Sequence, residues 1–185
     1  MIAIMSETSW PALFDAAPSL TLRAGAALFR REDAVRSAFL VRDGRVALER
    51  GLPSGEALVL SVAGQGALLA EASLFAPRYH CDAVARTDAK LTALPVAAFR
   101  DRLRAAPGAA LGLVEALGAE VQRQRMRVEI LRLPRLDDRL DAWLALHPPP
   151  PRGGWVGVAE AIGVTPPALY RVLARRRRAG LTPAR

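Results

Sequence analysis

The chain has 185 residues, 51% hydrophobic and 24% charged, which is ample for a real core in one large domain or two small ones and unlike a disordered composition. Its one cysteine excludes a disulfide framework, a paired-cysteine zinc site and a cluster held by four cysteines of one chain. The net charge of +8 is unevenly placed: residues 1–121 hold 13 Lys/Arg and 13 Asp/Glu, whereas residues 122–185 hold 13 and 5. A neutral body with a basic C-terminal part points to a polyanionic partner at that end. Because 25 of the 26 basic residues are Arg, as a GC-rich genome would also produce, the argument rests on where the charge sits. No apolar run reaches the roughly 18 residues of a membrane span. The start, Met1 to Glu7, has no basic n-region, so no signal peptide and a cytoplasmic protein are expected.

In chain order, residues 1–20 read as an N-terminal arm with a short helix around Pro11–Ala16. Strand signals run from Leu20 to about Ala63. The runs Ser37–Arg42 and Arg45–Arg50 flank Asp43-Gly44, a strong hairpin signal. Leu52-Pro53-Ser54-Gly55 reads as a second turn, Ala57–Val62 as a strand, and Gly64-Gln65-Gly66 as a further turn. Residues 67–76 allow one helical turn, and 83–94 read as more strand. Short strands with turns at this spacing predict a small β-roll or barrel.

After Pro95 the period changes to that of a helix. Helices are predicted over Val96–Arg104 and, much longer, Ala109–Leu133. Along the long helix Ala110, Val114, Leu117, Val121, Gln124, Val128 and Leu131 form an a/d seam. Such a seam predicts a two-stranded dimer with Gln124 setting the register, the alternative being a helix that packs only on its own domain. Pro134 ends the helix. A shorter helix follows, with Leu136, Leu140, Trp143 and Leu144 on one face, and then the stiff spacer His147–Pro151.

Residues 155–178 read as helix–turn–helix. Val158 and Ile162 face inward from the first helix, Ala159 permits a close crossing, Gly163 supplies the turn and Val164 plugs it. Thr165 stands at the N-cap and Pro166 at the first helical position. Leu169, Val172 and Leu173 bury the second helix. The predicted DNA contacts are Thr165, Tyr170, Arg171, Arg175, Arg176 and Arg178. A helical hairpin with a solvated arginine run is the alternative.

A β-roll, a long dimer-type helix and a C-terminal helix–turn–helix, in this order over about residues 18–181, resemble the Crp/Fnr family of bacterial transcription regulators. Gly44-Arg45-Val46-Ala47-Leu48 is similar to the family's Gly-x-Val strand, and Ala70-Glu71-Ala72-Ser73-Leu74-Phe75 to its Gly-Glu-x-x-Leu-Phe phosphate cassette. Ala168–Leu173 is similar to its recognition helix. The resemblance implies an α+β protein in three parts: a cyclic-nucleotide-binding-like roll over 1–108, a dimerisation helix over 109–134 and a DNA-binding domain over 135–185. It further implies a homodimer on palindromic double-stranded DNA, an effector or cofactor in the roll, and RNA polymerase as a possible partner. The implied dimer interface is Val114, Leu117, Val121, Gln124, Val128 and Leu131.

The departures are specific. In cyclic-nucleotide binders of the family the cassette Glu takes the ribose and an Arg-Ser/Thr-Ala element takes the phosphate. Here Glu71 is kept, Ala70 replaces the Gly, and Cys81-Asp82-Ala83 stands where the Arg-Ser-Ala element aligns. A carboxylate about 4 Å from a phosphate is repelled by roughly 4 kcal/mol at an effective dielectric of about 20. Classical cAMP or cGMP binding is therefore not expected, with Arg78 the possible substitute cation. The candidate effector pocket is Glu71, Arg78, His80, Cys81 and Asp82, where His80 and Cys81 read either as a metal or redox sensor or as a surface His beside a buried thiol. No cofactor or metal is assigned, and residues 1–30 lack the Cys and His that the family's clusters and haems use. At the DNA end the opening Thr165-Pro166-Pro167 keeps only Arg171 of the polar readers. The chain also stops at Arg185, where relatives continue into a wing. The second function class is thus a dimeric sensor or interaction module without sequence-specific DNA binding. An enzyme is not expected: His80 and His147 are the two histidines, and no paired-carboxylate, phosphate-loop or Ser/His/Asp pattern occurs.

Overall fold

The computed structural model describes residues 9–53, 55, 57–151 and 153–180. The readings made on Met1–Glu7, on Ser54 and on the tail from Leu181 fall outside these residues. The chain divides into two compact units, residues 1–115 and 116–185.

The first unit is a roll of two antiparallel four-stranded sheets. Its strands are β1 (Ser19–Leu22), β2 (Ala27–Phe29), β3 (Ser37–Asp43), β4 (Val46–Gly51), β5 (Ala57–Ala63), β6 (Leu68–Leu69), β7 (Asp82–Ala85) and β8 (Ala89–Pro95). One sheet has the order β1-β8-β3-β6 and the other β2-β7-β4-β5. Period-2 alternation turns Phe39, Val41, Leu69 and Leu91 of the first sheet and Phe29, Val46, Leu48 and Ala83 of the second into a shared core, which Cys81, just before β7, joins. Leu40 and Leu94 are also buried, so β3 and β8 are covered on both faces. Their second face meets a 3₁₀ turn at Trp10–Phe14 and helix α1 (Val96–Ala105), where the Phe14 and Phe99 rings lie 5.6 Å apart.

Two strand readings need correction. The runs around Asp43-Gly44 are not a ladder-paired hairpin: β3 pairs with β6 and β8, β4 with β5 and β7, and the turn carries the chain from one sheet to the other. The hairpin is β4–β5, across the second turn. Likewise 83–94 is not one strand but β7 and β8 in different sheets. Each strand alternates correctly, but sequence period says nothing about which neighbour a strand pairs with. The helix expected at Pro11–Ala16 is the 3₁₀ turn Trp10–Phe14, and the helical turn within 67–76 is Glu71–Ser73.

Ala106 precedes proline and leaves the helical region (φ −128°, ψ 78°), which ends α1, and Pro107 then opens α2 (Pro107–Arg132). Pro134 separates α2 from α3 (Leu136–Leu146), whose first turn carries Asp137 and Asp138 at the positive end of the helix dipole. Helices α4 (Trp155–Ala161) and α5 (Pro166–Arg178) complete the second unit. Its core is Ile130, Leu140, Val158, Ala159, Ile162, Leu169, Val172 and Leu173, with Leu136, Trp143, Leu144 and Val164 packed against it. These include the inward faces read from the sequence of α3, α4 and α5.

Candidate functional site

The α4–α5 pair is built around Gly163. Its φ of +67° is left-handed, and a Cβ there would stand 2.6 Å from Leu131 Cδ2. Carbonyls at the end of α4 are met by guanidinium groups: Arg127 donates to Glu160 O (3.4 Å), which also accepts from Gly163 N (3.3 Å), and Arg139 donates to Ile162 O (3.3 Å) while also donating to Leu133 O (2.6 Å) just past α2. This is an arginine cap on a helix C-terminus, with charge matched to the dipole. Thr165 sits at the N-cap of α5, but its side chain makes no capping bond. Pro166 and Pro167 fill the first two helical positions, so the second position lacks the N–H a cap would bind.

On α5 the buried residues Leu169, Val172 and Leu173 define one face, and Arg176 falls on it at the next helical step. Arg176 is the correction to the DNA-contact set. Its side chain is only 13% exposed; Nε donates to Asp137 Oδ1 (3.0 Å) and Nη2 to Asp141 Oδ2 (3.0 Å) and Asp137 O (3.1 Å). It locks α5 to α3 and is not presented to a ligand. Arg175 also pairs with Asp137, from a more exposed position. Burial works against the Asp137 charge, but the hydrogen bonds and positive charges of Arg175 and Arg176 outweigh it and hold its carboxyl below the ordinary value. Tyr170, Arg171, Arg177 and Arg178 are exposed, and these three arginines have no ion pair with any described residue. Arg171, Ala174 and Arg178 lie opposite the buried face.

Arg176→Ala is therefore expected to lower the stability of the second unit by about 1–3 kcal/mol, since it removes the guanidinium that joins α5 to Asp137 and Asp141 of α3 and leaves Asp137 with Arg175 alone. The depressed Asp137 pKa makes part of this stability present above the ordinary carboxylate value and lost as pH falls through the folded value. Urea denaturation at neutral pH and at about pH 3 checks this: the wild-type advantage must shrink in acid.

On α2 the expected seam residues Val114, Val121 and Val128 are 63%, 49% and 49% exposed in the single chain. Leu117, Gln124 and Leu131 are half-buried. Gln124 donates to Glu120 Oε1 (2.6 Å) within the helix, and Leu131 approaches Gly163. Ala109, Leu113 and Ile130, off the seam, are buried.

In the roll, the five residues expected to form an effector pocket bond to separate partners. Arg78 Nη1 donates to Glu32 O (2.7 Å). Asp82 accepts from Arg31 N (2.6 Å) and pairs with Arg30 (3.4 Å). His80 is exposed and its Nδ1 meets Ser73 Oγ at 2.9 Å, while its carbonyl accepts from Arg50 (3.2 Å). Cys81 is fully buried in the core between the sheets. Burial pushes its thiol up, against the pull of Arg50 and with Asp82 and Glu71 adding to the rise, which disfavours the thiolate. Glu71 opens the 3₁₀ turn after Ala70, whose φ of +55° is the left-handed conformation that costs a non-glycine residue about 1–2 kcal/mol. Among the described residues no group of three or more His, Cys, Asp and Glu is placed to hold a metal. Two further residues touch this segment: Ser73 lies in the cassette motif but at one of its unspecified positions, and no motif flags Arg50, since β4 meets His80 only through the fold.

The comparisons agree with this architecture. Residues 19–106 match the cyclic nucleotide-binding domain family. Among solved structures, FixK2 from Bradyrhizobium japonicum aligns with a TM-score of 0.71 at 14% identity, covering 89% of this chain and 86% of that one. The c-di-GMP-responsive global regulator CLP from Xanthomonas campestris aligns with a TM-score of 0.67 at 18% identity, covering 95% and 93%. A putative cyclic nucleotide binding protein from Ruegeria pomeroyi aligns with a TM-score of 0.59 at 25% identity, covering 95% and 81%. No curated protein matches the sequence. The chain shares the α+β fold of these structures, and its residues 19–106 are similar to the cyclic nucleotide-binding domain. Among the described residues no helix is long and apolar enough to cross a membrane.

Proposed function

We propose that the protein is a homodimeric, cytoplasmic DNA-binding transcription regulator of the Crp/Fnr type, without catalytic activity. Residues 1–108 are its sensory part, 109–134 its dimerisation helix and 135–185 its helix–turn–helix domain. The observation that carries the reading is the outer face of α5, where Arg171 and Arg178 stand exposed and unpaired among the described residues, opposite the helix's buried face. Arginine to guanine is the commonest specific major-groove contact. Arg171→Ala is expected to cost about 1–3 kcal/mol on the preferred operator and little on random DNA, whereas Arg178→Ala should weaken both alike and lower the salt slope by about one unit. Gel shifts at several salt concentrations on sites recovered by genome-wide pull-down of bound DNA test this.

The second reading, a dimeric sensor or interaction module without sequence-specific DNA binding, is favoured by one feature: two prolines occupy the start of α5, where they offer no hydrogen-bond donor to a base. Equal losses on specific and random DNA for Arg171→Ala would select it. RNA polymerase is the partner the regulator reading adds.

The effector is taken to be other than a classical cyclic nucleotide. Of the cations near the cassette, Arg78 is spent on Glu32 O and Arg50 on His80 O, and the aligned phosphate position holds a buried thiol beside Asp82. Calorimetry with millimolar cAMP and cGMP should register no binding; a micromolar dissociation constant would overturn the assignment and point to Arg50 or Arg78.

A further inference from the structure

We infer that α2 selects a second, parallel copy of this chain through a reciprocal ion pair, Glu120 of each protomer with the partner's Arg125. Resting on the dimer reading above, the pair fixes both the direction of the partner helix and the choice of partner.

The seam divides the rest of α2 into two flanks. With Val114, Val121 and Val128 at the a positions and Leu117, Gln124 and Leu131 at the d positions, residues 113, 120 and 127 fall at g and residues 111, 118, 125 and 132 at e. The two flanks are unlike. On the g side Leu113 is buried and Arg127 donates to Glu160 O (3.4 Å), so this flank is taken up by the chain's own contacts. On the e side Leu111 is 61% exposed, Gly118, Arg125 and Arg132 are exposed, and no heavy atom stands within 4 Å of a Cβ built on Gly118. Parallel helices bring each g flank against the partner's e flank, a covered side against a bare one. Antiparallel helices bring g against g and e against e, so two covered sides collide while the bare sides stay open.

Charge then picks out one pair. Parallel pairing sets a g residue opposite the e residue five positions further on in the partner, which places Glu120 opposite the partner's Arg125, and symmetry repeats the pair. The Glu120 carboxylate is held ready. Arg123 Nε donates to Oε2 (2.9 Å), with Nη2 2.7 Å away, and Gln124 donates to Oε1 (2.6 Å). Gln124 is itself a seam residue, so its bond keeps Oε1 on the seam side of the helix. A carboxylate offers about four lone-pair sites, which leaves room for a further donor. Arg125 supplies it: its guanidinium makes no hydrogen bond or ion pair with any described residue.

The test is sedimentation equilibrium of the full chain, across concentrations that span the wild-type dimer Kd. The proteins are the wild type, Glu120→Arg, Arg125→Glu, the double variant, and an equimolar mixture of the two single variants. Each single variant sets like charges opposite each other at both sites and should raise the dimer Kd about tenfold. The double variant should return to within about threefold of the wild type, because opposite charges face each other again. The mixture should associate like the wild type, since both pairs are restored only in the mixed dimer. Glu120→Arg also loses the bonds to Arg123 and Gln124, but so does the double variant, so its recovery separates the ion pair from changes within the helix. Single variants that dimerise like the wild type, or a double variant no tighter than Glu120→Arg alone, overturn the inference and leave the dimer standing. A monomeric wild type overturns the dimer reading and the ion pair with it.

Discussion

The double variant Leu117→Asp, Val121→Asp is expected to sediment as a monomer where the wild type sediments as a dimer. Val121 is an aliphatic residue 49% exposed in the single chain, and Leu117 lies four residues before it on the same side of α2. In the proposed seam the two substitutions place four carboxylates within one apolar interface. Each unpaired buried charge costs several kcal/mol, which exceeds what a seam of about three heptads supplies. The helix itself should persist, because both positions face solvent at least in part in the monomer, and an unchanged far-UV circular dichroism spectrum would show this. A variant that remains dimeric would place the subunit contact elsewhere and remove α2 from it.

Gly44→Ala is expected to destabilise the roll by about 2–5 kcal/mol, from about 1–2 kcal/mol for a left-handed alanine and about 1–3 kcal/mol for overpacking. Gly44 has φ +79°, and a Cβ built on it falls 2.2 Å from Asp88 O and 2.7 Å from Ala89 Cα. Both obstacles are backbone, in the turn that leads from β7 to β8, so no side-chain rotation relieves them. Gly64 is the control: its φ is not positive and no heavy atom comes within 4 Å of a Cβ there, so Gly64→Ala should stay within about 0.5 kcal/mol of wild type. Urea midpoints decide the matter, and a Gly44→Ala loss no larger than the control's would refute the close approach.

Gly44 also shows why part of the fold was hidden. Asp-Gly between two apolar runs locates a turn, and the turn is there. Whether the flanking strands pair or part into two sheets depends on β8 and β5, which compete for the same edges from distant parts of the chain. Similarly, α5 is legible to the residue for its apolar face, yet the sequence places Arg176 among the DNA contacts because an arginine ordinarily faces water. Its place seven residues after Leu169 puts it on the buried face, and only the arrival of Asp137 and Asp141 on α3 makes that position tolerable for a charge.

By itself the sequence determined the order of strands and helices, the breaks at Pro95 and Pro134 and the gap between Arg104 and Ala109, the inward faces of the short helices, and the excess of positive charge in the last third. These follow from local period, proline chemistry and composition, which neighbours in space do not alter. Tertiary structure decided which side chains meet. It buried Cys81 between two sheets, set Arg78 on the Glu32 carbonyl and paired Asp82 with Arg30. It set Arg127 and Arg139 on the end of α4. Hydrogen bonds and charge pairs are short-ranged and satisfied by whatever the fold brings near, so residues 38 to 52 positions apart in the chain, such as Arg175 with Asp137 and Arg30 with Asp82, find each other only after folding.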